Sequence, residues 1–450
     1  MQQISNVAGF SNLTPQIPVG VLVKPTSSRC NLNCSYCFYL SKAELYPWGK
    51  HPKLTIDLYE EFLEQYFAMS APFLSFAWQG GEPTIMGLDF YEQIVTLQQK
   101  YAHKFNLMRS NPVYNSIQTN GTMLNDDWAR FFKQNNFLVG ISLDGPPEQH
   151  DLYRQDWSGR PTFDKVMAGI EFLRIRDVPF NVLTVVNQSN VQQPKKLLRW
   201  LAQQGFTHIQ FIPLMEISPN MRSADTREPS KESLTPNQWG YFLSEVLEAW
   251  REIGVDKLRI RWFDDVIHML WGLPSEACIL AKKCGYILLE HNGDCYPCDF
   301  FVEPTQLLGN IRNDSLVEMI TSEKFKNFSE AKNKLHKDCR ECEWITLCYG
   351  ECPKYRIANT GKISHSLPYF CPSYKQFFSN NYSKLEKVSI QRARKAGIVV
   401  PPDTLSANIR TRTKPMTLDD IRSIAKKNNV GRNGLCPCKS GRKYKRCCGD

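Results

Sequence analysis

Cys30-Asn31-Leu32-Asn33-Cys34-Ser35-Tyr36-Cys37 has the form Cys-x3-Cys-x2-Cys and follows a short apolar run, residues 20–24, that reads as a strand. Three thiolates on one loop can hold three irons of a 4Fe–4S cube and leave the fourth iron without a protein ligand. An open metal position separates a reactive site from a structural one. A structural zinc site on the same loop would need a fourth ligand close by.

Beyond that loop, short β-rich runs alternate with helix-like stretches as far as about residue 215. Strands are expected at 20–24, 74–78, 115–119, 138–143, 180–186 and 209–212, with amphipathic segments such as 58–69 and 166–176 between them. This repetition argues for an α/β fold with a parallel sheet of βαβ units. Six units suit a partial (β/α)6 barrel with its chemistry at the strands' C-terminal ends. A doubly wound open sheet has the same periodicity. Residues 216–235 read as a loop and 236–253 as a helix, whose stripe of Trp239, Phe242, Val246 and Trp250 reads as core packing.

The whole chain of 450 residues is long enough for about three domains. With 42% apolar and 22% charged residues it is not collagen-like, low-complexity or wholly disordered. No apolar run approaches the roughly 18 residues that span a bilayer, and the start MQQISNVAGF lacks an export pattern, so a cytoplasmic protein without a membrane partner is expected. The net charge of +10 belongs to the tail: residues 381–450 hold 17 Lys and Arg against 5 Asp and Glu. The body therefore has no global nucleic-acid footprint. Of 16 cysteines, all but Cys371 fall into tight groups, and in a reducing compartment such spacings point to metal or cluster ligation.

Taken with its loops, the first cysteine group resembles the signature of the radical S-adenosylmethionine (SAM) enzymes. The resemblance implies that the open iron chelates the amino and carboxylate groups of SAM, which one electron cleaves to a 5′-deoxyadenosyl radical. Gln79-Gly80-Gly81-Glu82-Pro83, after the second strand, resembles the Gly-Gly-Glu motif that holds the SAM amino group. Gln118-Thr119-Asn120-Gly121 ends the third strand and Ser142-Leu143-Asp144-Gly145 the fourth. A lone Asn-Gly is usually only a turn; the order of these motifs at successive strand ends carries the resemblance. Arg154, after His150, is expected to neutralise the SAM carboxylate, and the resemblance places Tyr36 and Leu214 against SAM. The expected cofactor contacts are thus Tyr36, Gly80, Gly81, Glu82, Asn120, Ser142, Arg154 and Leu214, with Cys30, Cys34 and Cys37 on the cluster.

Cys284, Cys298, Cys339, Cys342, Cys348, Cys352 and Cys371, in that order, resemble the SPASM extension of radical SAM enzymes that modify peptides and proteins, and Cys278 supplies an eighth thiolate. Eight thiolates can close two 4Fe–4S clusters, neither with an open iron; zinc ribbons are the alternative from spacing alone. The resemblance assigns Cys278, Cys284, Cys298 and Cys352 to one auxiliary cluster and Cys339, Cys342, Cys348 and Cys371 to the other. Such interleaving would help stabilise a region with little apolar core. Cys295 is surplus and reads as a buried free thiol. The context Cys298-Asp299-Phe300 is most similar to the anaerobic sulfatase-maturating enzymes, where the matching aspartate is the proposed base. After a hydrogen leaves the substrate Cβ, a carboxylate beside a cluster can take a proton and the cluster an electron.

Gly431-Arg432-Asn433-x2-Cys436-Pro437-Cys438-x8-Cys447-Cys448 resembles the SEC-C motif. Its four thiolates, Cys436, Cys438, Cys447 and Cys448, suit a closed Zn2+ site that supplies the folding energy of a small module. The surrounding Lys and Arg either balance that thiolate charge or offer a basic face to an acidic partner such as a chaperone, a ribosome or nucleic acid. The expected organisation is a radical SAM core barrel at 15–235, a helical connector at 236–271, a SPASM domain at 272–380, a basic linker at 381–430 and the zinc module at 431–450. The resemblance implies an enzyme that oxidises the Cys or Ser of Cys/Ser-x-Pro-x-Arg in an unfolded sulfatase to Cα-formylglycine. Its cofactors would be three 4Fe–4S clusters and SAM, with a low-potential donor of flavodoxin or ferredoxin type. The rivals are a SPASM modifier of a ribosomal peptide, forming a thioether, crosslink or epimer, and a non-catalytic metal-stabilised adaptor.

Overall fold

The computed structural model describes residues 20–47, 49, 52–69, 74–105, 113–217, 228–275, 277–360, 367–398 and 426. The first half alternates as its spacing predicts: β1 (Gly20–Lys24), α1 (Ile56–Ala68), β2 (Leu74–Trp78), α2 (Leu88–Lys104), β3 (Val113–Thr119), α3 (Asp126–Gln134), β4 (Leu138–Ser142), the one-turn α4 (Pro147–His150), α5 (Phe163–Ile175), β5 (Phe180–Val186), α6 (Pro194–Gln203) and β6 (His208–Pro213). Next come α7 (Pro236–Ile253), β7 (Arg259–Ile260) and α8 (Arg261–Leu270). The Cys-rich half holds β8 (Tyr286–Glu290), β9 (Asp294–Tyr296), β10 (Gly309–Asn310), α9 (Leu316–Thr321), α10 (Glu323–Ala331), α11 (Lys337–Arg340), α12 (Ile345–Cys348), α13 (Pro353–Thr360) and α14 (Cys371–Ala396). Among the described residues no helix is long and apolar enough to cross a membrane.

These strands make one sheet in the order β10-β9-β8-β1-β2-β3-β4-β5-β6-β7. From β1 to β7 every neighbouring pair is parallel and the order never reverses. A doubly wound sheet needs a reversal, because right-handed crossovers change face only when the strand order turns back. Without one, the helices cover a single face and the sheet curls into a partial barrel. The α/β reading therefore holds, and the doubly wound alternative falls.

Local sequence explains the elements. In α1, Leu58, Tyr59, Phe62, Leu63, Tyr66 and Phe67 recur on one helical face and are all buried, and Thr55 caps the helix by accepting from Leu58 N at 3.3 Å. That cap starts the helix at Ile56, two residues before the apolar stripe. α7 opens on a capping box of Thr235 and Gln238. Its Trp239, Phe242, Val246 and Trp250 are core, as their spacing predicts, and Trp250 stacks on Phe263 with ring centroids 5.3 Å apart. Truncating such a buried Trp to Ala costs about 3–5 kcal/mol.

Two expectations are corrected. The Cys-rich region does not lack an apolar core: β8 joins β1 in parallel register from Gly20↔Tyr286 to Lys24↔Glu290, and Ile287, Leu288 and Leu289 are buried. The boundary expected at 380 falls inside α14, a continuous helix whose Phe377, Leu385 and Val388 are buried in the main core. Tyr374 of that helix stacks on Trp262 of α8, with centroids 5.8 Å apart. The zinc module expected at 431–450, with Cys436, Cys438, Cys447 and Cys448, lies outside the described residues.

Candidate active site

The loops that carry the expected SAM-site residues leave the C-terminal ends of the barrel strands, where barrel chemistry sits. After β1, Ser27 N donates to Lys24 O at 3.1 Å and Arg29 N to Thr26 O at 3.0 Å. These turns form a shelf on which the β2 loop docks, with Gly81 N donating to Ser27 O at 2.7 Å and Glu82 N to Arg29 O at 3.0 Å. A Cβ at Gly81 would meet Arg29 O at 2.0 Å, so only glycine allows this approach. The expectation that Glu82 touches SAM meets a different geometry. Its buried carboxylate accepts from Thr84 N (3.0 Å), Thr84 Oγ1 (2.6 Å), Thr119 Oγ1 (2.7 Å) and Asn120 N (2.7 Å). Burial pushes its pKa up, against the pull of those donors. Glu82 is a staple between the β2 and β3 loops.

Asn120 turns toward the cysteine loop: its Nδ2 donates to Asn31 Oδ1 at 2.8 Å and points at Cys30 Sγ, 3.8 Å away. From the other side Trp157 Nε1 donates to Cys30 O at 3.0 Å, and Asn33 N to Gln155 O at 2.7 Å. Four loops thus hold the three cysteines. Arg154 grips Asp144 with two hydrogen bonds, Nε to Oδ2 at 2.9 Å and Nη2 to Oδ1 at 3.2 Å. Tyr36 OH also donates to Asp144, and the guanidinium lies 5.5 Å from the Tyr36 ring centre. Behind them the buried His150 accepts from Asp144 N at 3.4 Å and reaches Thr162 Oγ1 at 3.2 Å, and burial lowers its pKa to about 4. Ser142 Oγ accepts from Gln118 Nε2 at 3.1 Å, and Leu214 is buried at the end of β6.

Burial raises the pKa of Cys30, Cys34 and Cys37, that of Cys34 to about 12 with Arg154 pulling it back. Buried thiols keep their protons until a metal takes the place of the proton. Three such soft donors on one loop fit a cluster with one open iron. The remaining cysteines gather across long stretches of chain. Cys352 faces Cys278, Cys284 and Cys298, while Cys339, Cys342, Cys348 and Cys371 line one small cavity. Two sets of four thiols fit closed clusters. Cys295 belongs to neither: it is wholly buried in β9, with its thiol 3.7 Å from Gly293 O.

Asp299 follows Cys298 and reaches Lys24 at the end of β1. Phe38, next to Cys37, packs on Phe300 with ring centroids 4.7 Å apart. Asp299 is 8% exposed; its Oδ2 lies 3.2 Å from Lys24 Nζ, and Cys298 Sγ is 3.5 Å from Oδ1. The Lys24 ammonium, 1% exposed, also sits 4.3 Å from the Tyr39 ring centre, and Tyr39 OH donates to Glu290 at 2.5 Å. A cleft of roughly 420 Å³ opens beside this group, lined by Phe38, Lys42, Glu216, Phe300, Glu303 and Lys354. A larger cavity of roughly 800 Å³ lies at the opposite strand ends. Its Arg259 and Asp264 pair at 3.0 Å, and that end of a barrel serves stability.

The structure thus brings the expected SAM residues and the first cysteine loop to the C-terminal strand ends, while Cys278 and Cys298 lie near Tyr286, at the start of β8. Sequence reasoning gave no role to Lys24, Asp144 or His150. Lys24 had one signal, a charge closing an apolar strand, and Asp144 stood inside a quoted motif.

Comparison with known proteins identifies the family. Residues 25–201 match the family model of the radical SAM superfamily, residues 278–343 that of the SPASM iron-sulfur cluster-binding domain and residues 432–450 the SEC-C motif. The chain is 39% identical over 375 residues to a serine-type anaerobic sulfatase-maturating enzyme of Bacteroides thetaiotaomicron, covering 81% of this chain and 89% of the relative. It is 36% identical to a cysteine-type enzyme of Clostridium novyi, covering 82% and 97%. The solved structure of native anSMEcpe with bound AdoMet and Cp18Cys peptide superposes with a TM-score of 0.73 at 33% identity, covering 83% of this chain and 99% of that one.

Proposed function

The chain belongs to the anaerobic sulfatase-maturating enzymes of the radical SAM superfamily, and from that premise we propose that it oxidises the Cys or Ser of Cys/Ser-x-Pro-x-Arg in an unfolded sulfatase to Cα-formylglycine. The observation that carries this reading is the carboxylate of Asp299. It is buried, held by Lys24 at 3.2 Å and adjacent to Cys298, while the neighbouring Phe300 packs on Phe38, next to Cys37. When bound, SAM and three 4Fe–4S clusters supply a 5′-deoxyadenosyl radical that takes a hydrogen atom from the substrate Cβ, and an acceptor for the electron left behind.

The chain's own residues do the rest. Cys30, Cys34 and Cys37 hold the SAM-binding cluster, and the two interleaved sets of four hold the auxiliary ones. Gly80 and Gly81 offer backbone to SAM, and Glu82 keeps that backbone in place from behind. Asn120, Ser142, Tyr36 and Leu214 contact SAM. Arg154, oriented by Asp144, presents its remaining positive charge to the SAM carboxylate. The peptide enters by the cleft at Phe38 and Phe300, and Asp299 Oδ1 takes the proton from the substrate thiol or hydroxyl. The relatives include both serine-type and cysteine-type enzymes, so both substrates remain in the proposal. A flavodoxin- or ferredoxin-type donor supplies the electron for SAM cleavage. Cys436, Cys438, Cys447 and Cys448 bind Zn2+, and Lys439, Arg442, Lys443, Lys445 and Arg446 present a basic face to an acidic partner.

The test is anaerobic. Protein reconstituted with iron and sulfide is given SAM, a reductant and a Cys/Ser-x-Pro-x-Arg peptide, and the peptide is weighed. Loss of two hydrogens from Ser, or conversion of Cys to the aldehyde, is expected together with 5′-deoxyadenosine. Deoxyadenosine with an unchanged peptide would discard the substrate, and neither product from cluster-loaded protein would discard the chemistry.

A further inference from the structure

The two auxiliary cysteine sets meet at one short turn. Cys348 belongs to one set and Cys352 to the other, and only Tyr349, Gly350 and Glu351 separate them. All three are left-handed, with φ of +45°, +70° and +56°, a region that L-residues rarely enter and almost never in succession. The winding turns the carbonyls of this spacer onto a single side chain. Arg356 Nε donates to Gly350 O at 2.7 Å, and its Nη2 lies 3.4 Å from both Tyr349 O and Glu351 O. Nη2 also donates to Lys332 O at 2.9 Å, and Nη1 reaches Ala331 O at 3.4 Å. A Cβ on Gly350 would lie 2.7 Å from Nη2, so the turn closes on the guanidinium with no room to spare.

Arg356 is 1% exposed. A guanidinium taken out of water is costly unless an anion compensates it, and among the described residues every hydrogen bond of Arg356 goes to a neutral carbonyl. The acidic groups it faces are Cys339 and Cys348 of one set, Cys352 of the other and Glu351 between them; burial raises the pKa of all four, that of Glu351 to about 8, so none of them compensates it until a cluster replaces the thiol protons. Lys332, fully buried, differs: its Nζ donates to Cys278 O at 2.6 Å and Ile279 O at 2.8 Å, and the cysteines it faces, Cys352, Cys284 and Cys278, all belong to one set, with Arg356 and Glu351 beside it.

We propose that Arg356 is a fixed cation shared by the two auxiliary clusters and sets the reduction potentials of both. The inference rests on the reading that the eight cysteines hold two clusters. An immobile positive charge favours the more negative, reduced state, and net charge around a cluster is one of the protein's levers on its potential. Lys332 exerts the same pull on one cluster only.

The test is a redox titration of the full-length, cluster-loaded protein followed by electron paramagnetic resonance. R356M is expected to cut the ratio of reduced to oxidised protein about tenfold at fixed potential for both auxiliary signals, a downward shift of about 59 mV for one electron. K332M is expected to shift only the Cys278 set, and neither variant the SAM cluster. R356K keeps the charge and is expected to hold both potentials near wild type. Unshifted auxiliary potentials in fully loaded R356M would overturn the proposal, as would an equal shift of all three clusters. If R356M loses iron, R356K decides: retained potentials support the shared charge, and a fall or loss of iron there overturns it. Wild-type protein binding iron for one cluster alone would remove the auxiliary clusters and this inference with them, whereas unshifted potentials in loaded protein refute Arg356 alone.

Discussion

Replacing Lys24 by Met removes the ammonium that holds Asp299 while keeping a buried chain of similar length. At 3.2 Å, and with an effective dielectric of about 20, two unit charges attract by roughly 5 kcal/mol before desolvation is counted. Side-chain exposures of 1% and 12% mean that solvent screens this pair little. Stranding one member of such a pair costs about 3–5 kcal/mol, which frees Asp299 to turn from its position. Misplacing a catalytic group by about 1 Å lowers the rate about 10²-fold, whereas deleting a general base lowers it about 10²–10⁴-fold.

The assay is kcat/KM for anaerobic peptide oxidation in wild type, K24M, D299N and K24M/D299N, with 5′-deoxyadenosine measured alongside. K24M is expected to lose about 10²-fold, and D299N as much or more. The double variant should be no worse than D299N, because Lys24 acts through Asp299; the coupling is then about 2.7 kcal/mol. All four proteins should still release 5′-deoxyadenosine. Multiplicative losses in the double variant, or unimpaired K24M, would refute the reasoning.

Gly81→Ala, whose new Cβ would meet Arg29 O at 2.0 Å, should displace the shelf beneath the first cysteine loop. Iron should fall from three clusters' worth to two and SAM cleavage should vanish; intact SAM cleavage would show that the shelf yields. His150 titrates at about 4 when folded and at about 6.5 when unfolded. The unfolded chain therefore binds more protons between those values, and stability should fall by up to ~3 kcal/mol as pH drops from about 6.5 to about 4. Anaerobic melting of the wild type and His150→Gln would reveal this, since the substitution should flatten that part of the profile. Cys295→Ala should leave the iron content unchanged, and a loss of one cluster's iron would make Cys295 a ligand.

The strand and helix spacing of the first half was legible because it is local: alternating burial in β2 and the capped apolar face of α1 are written in neighbouring residues. The thiol groups were legible too, because few other residues serve a metal in that pattern. Where a residue's task depends on what lies across the fold, local pattern is silent. Glu82 sits in a quoted motif, yet its carboxylate is occupied by Thr84, Thr119 and Asn120. Asp144 stands in a quoted motif with no role legible in it, and only the fold closes Arg154 and Tyr36 on it.

By itself, then, the sequence determined the α/β alternation, the tight cysteine groups and the family to which the chain belongs, since all of these depend on short-range spacing and residue type. Tertiary structure alone decided that β1 to β7 run in order without reversal, that β8 pairs with β1, and that Lys24 meets Asp299 across 275 residues of chain. Parallel pairing carries no local turn signal, and a buried ion pair becomes visible only when two distant segments lose their water together.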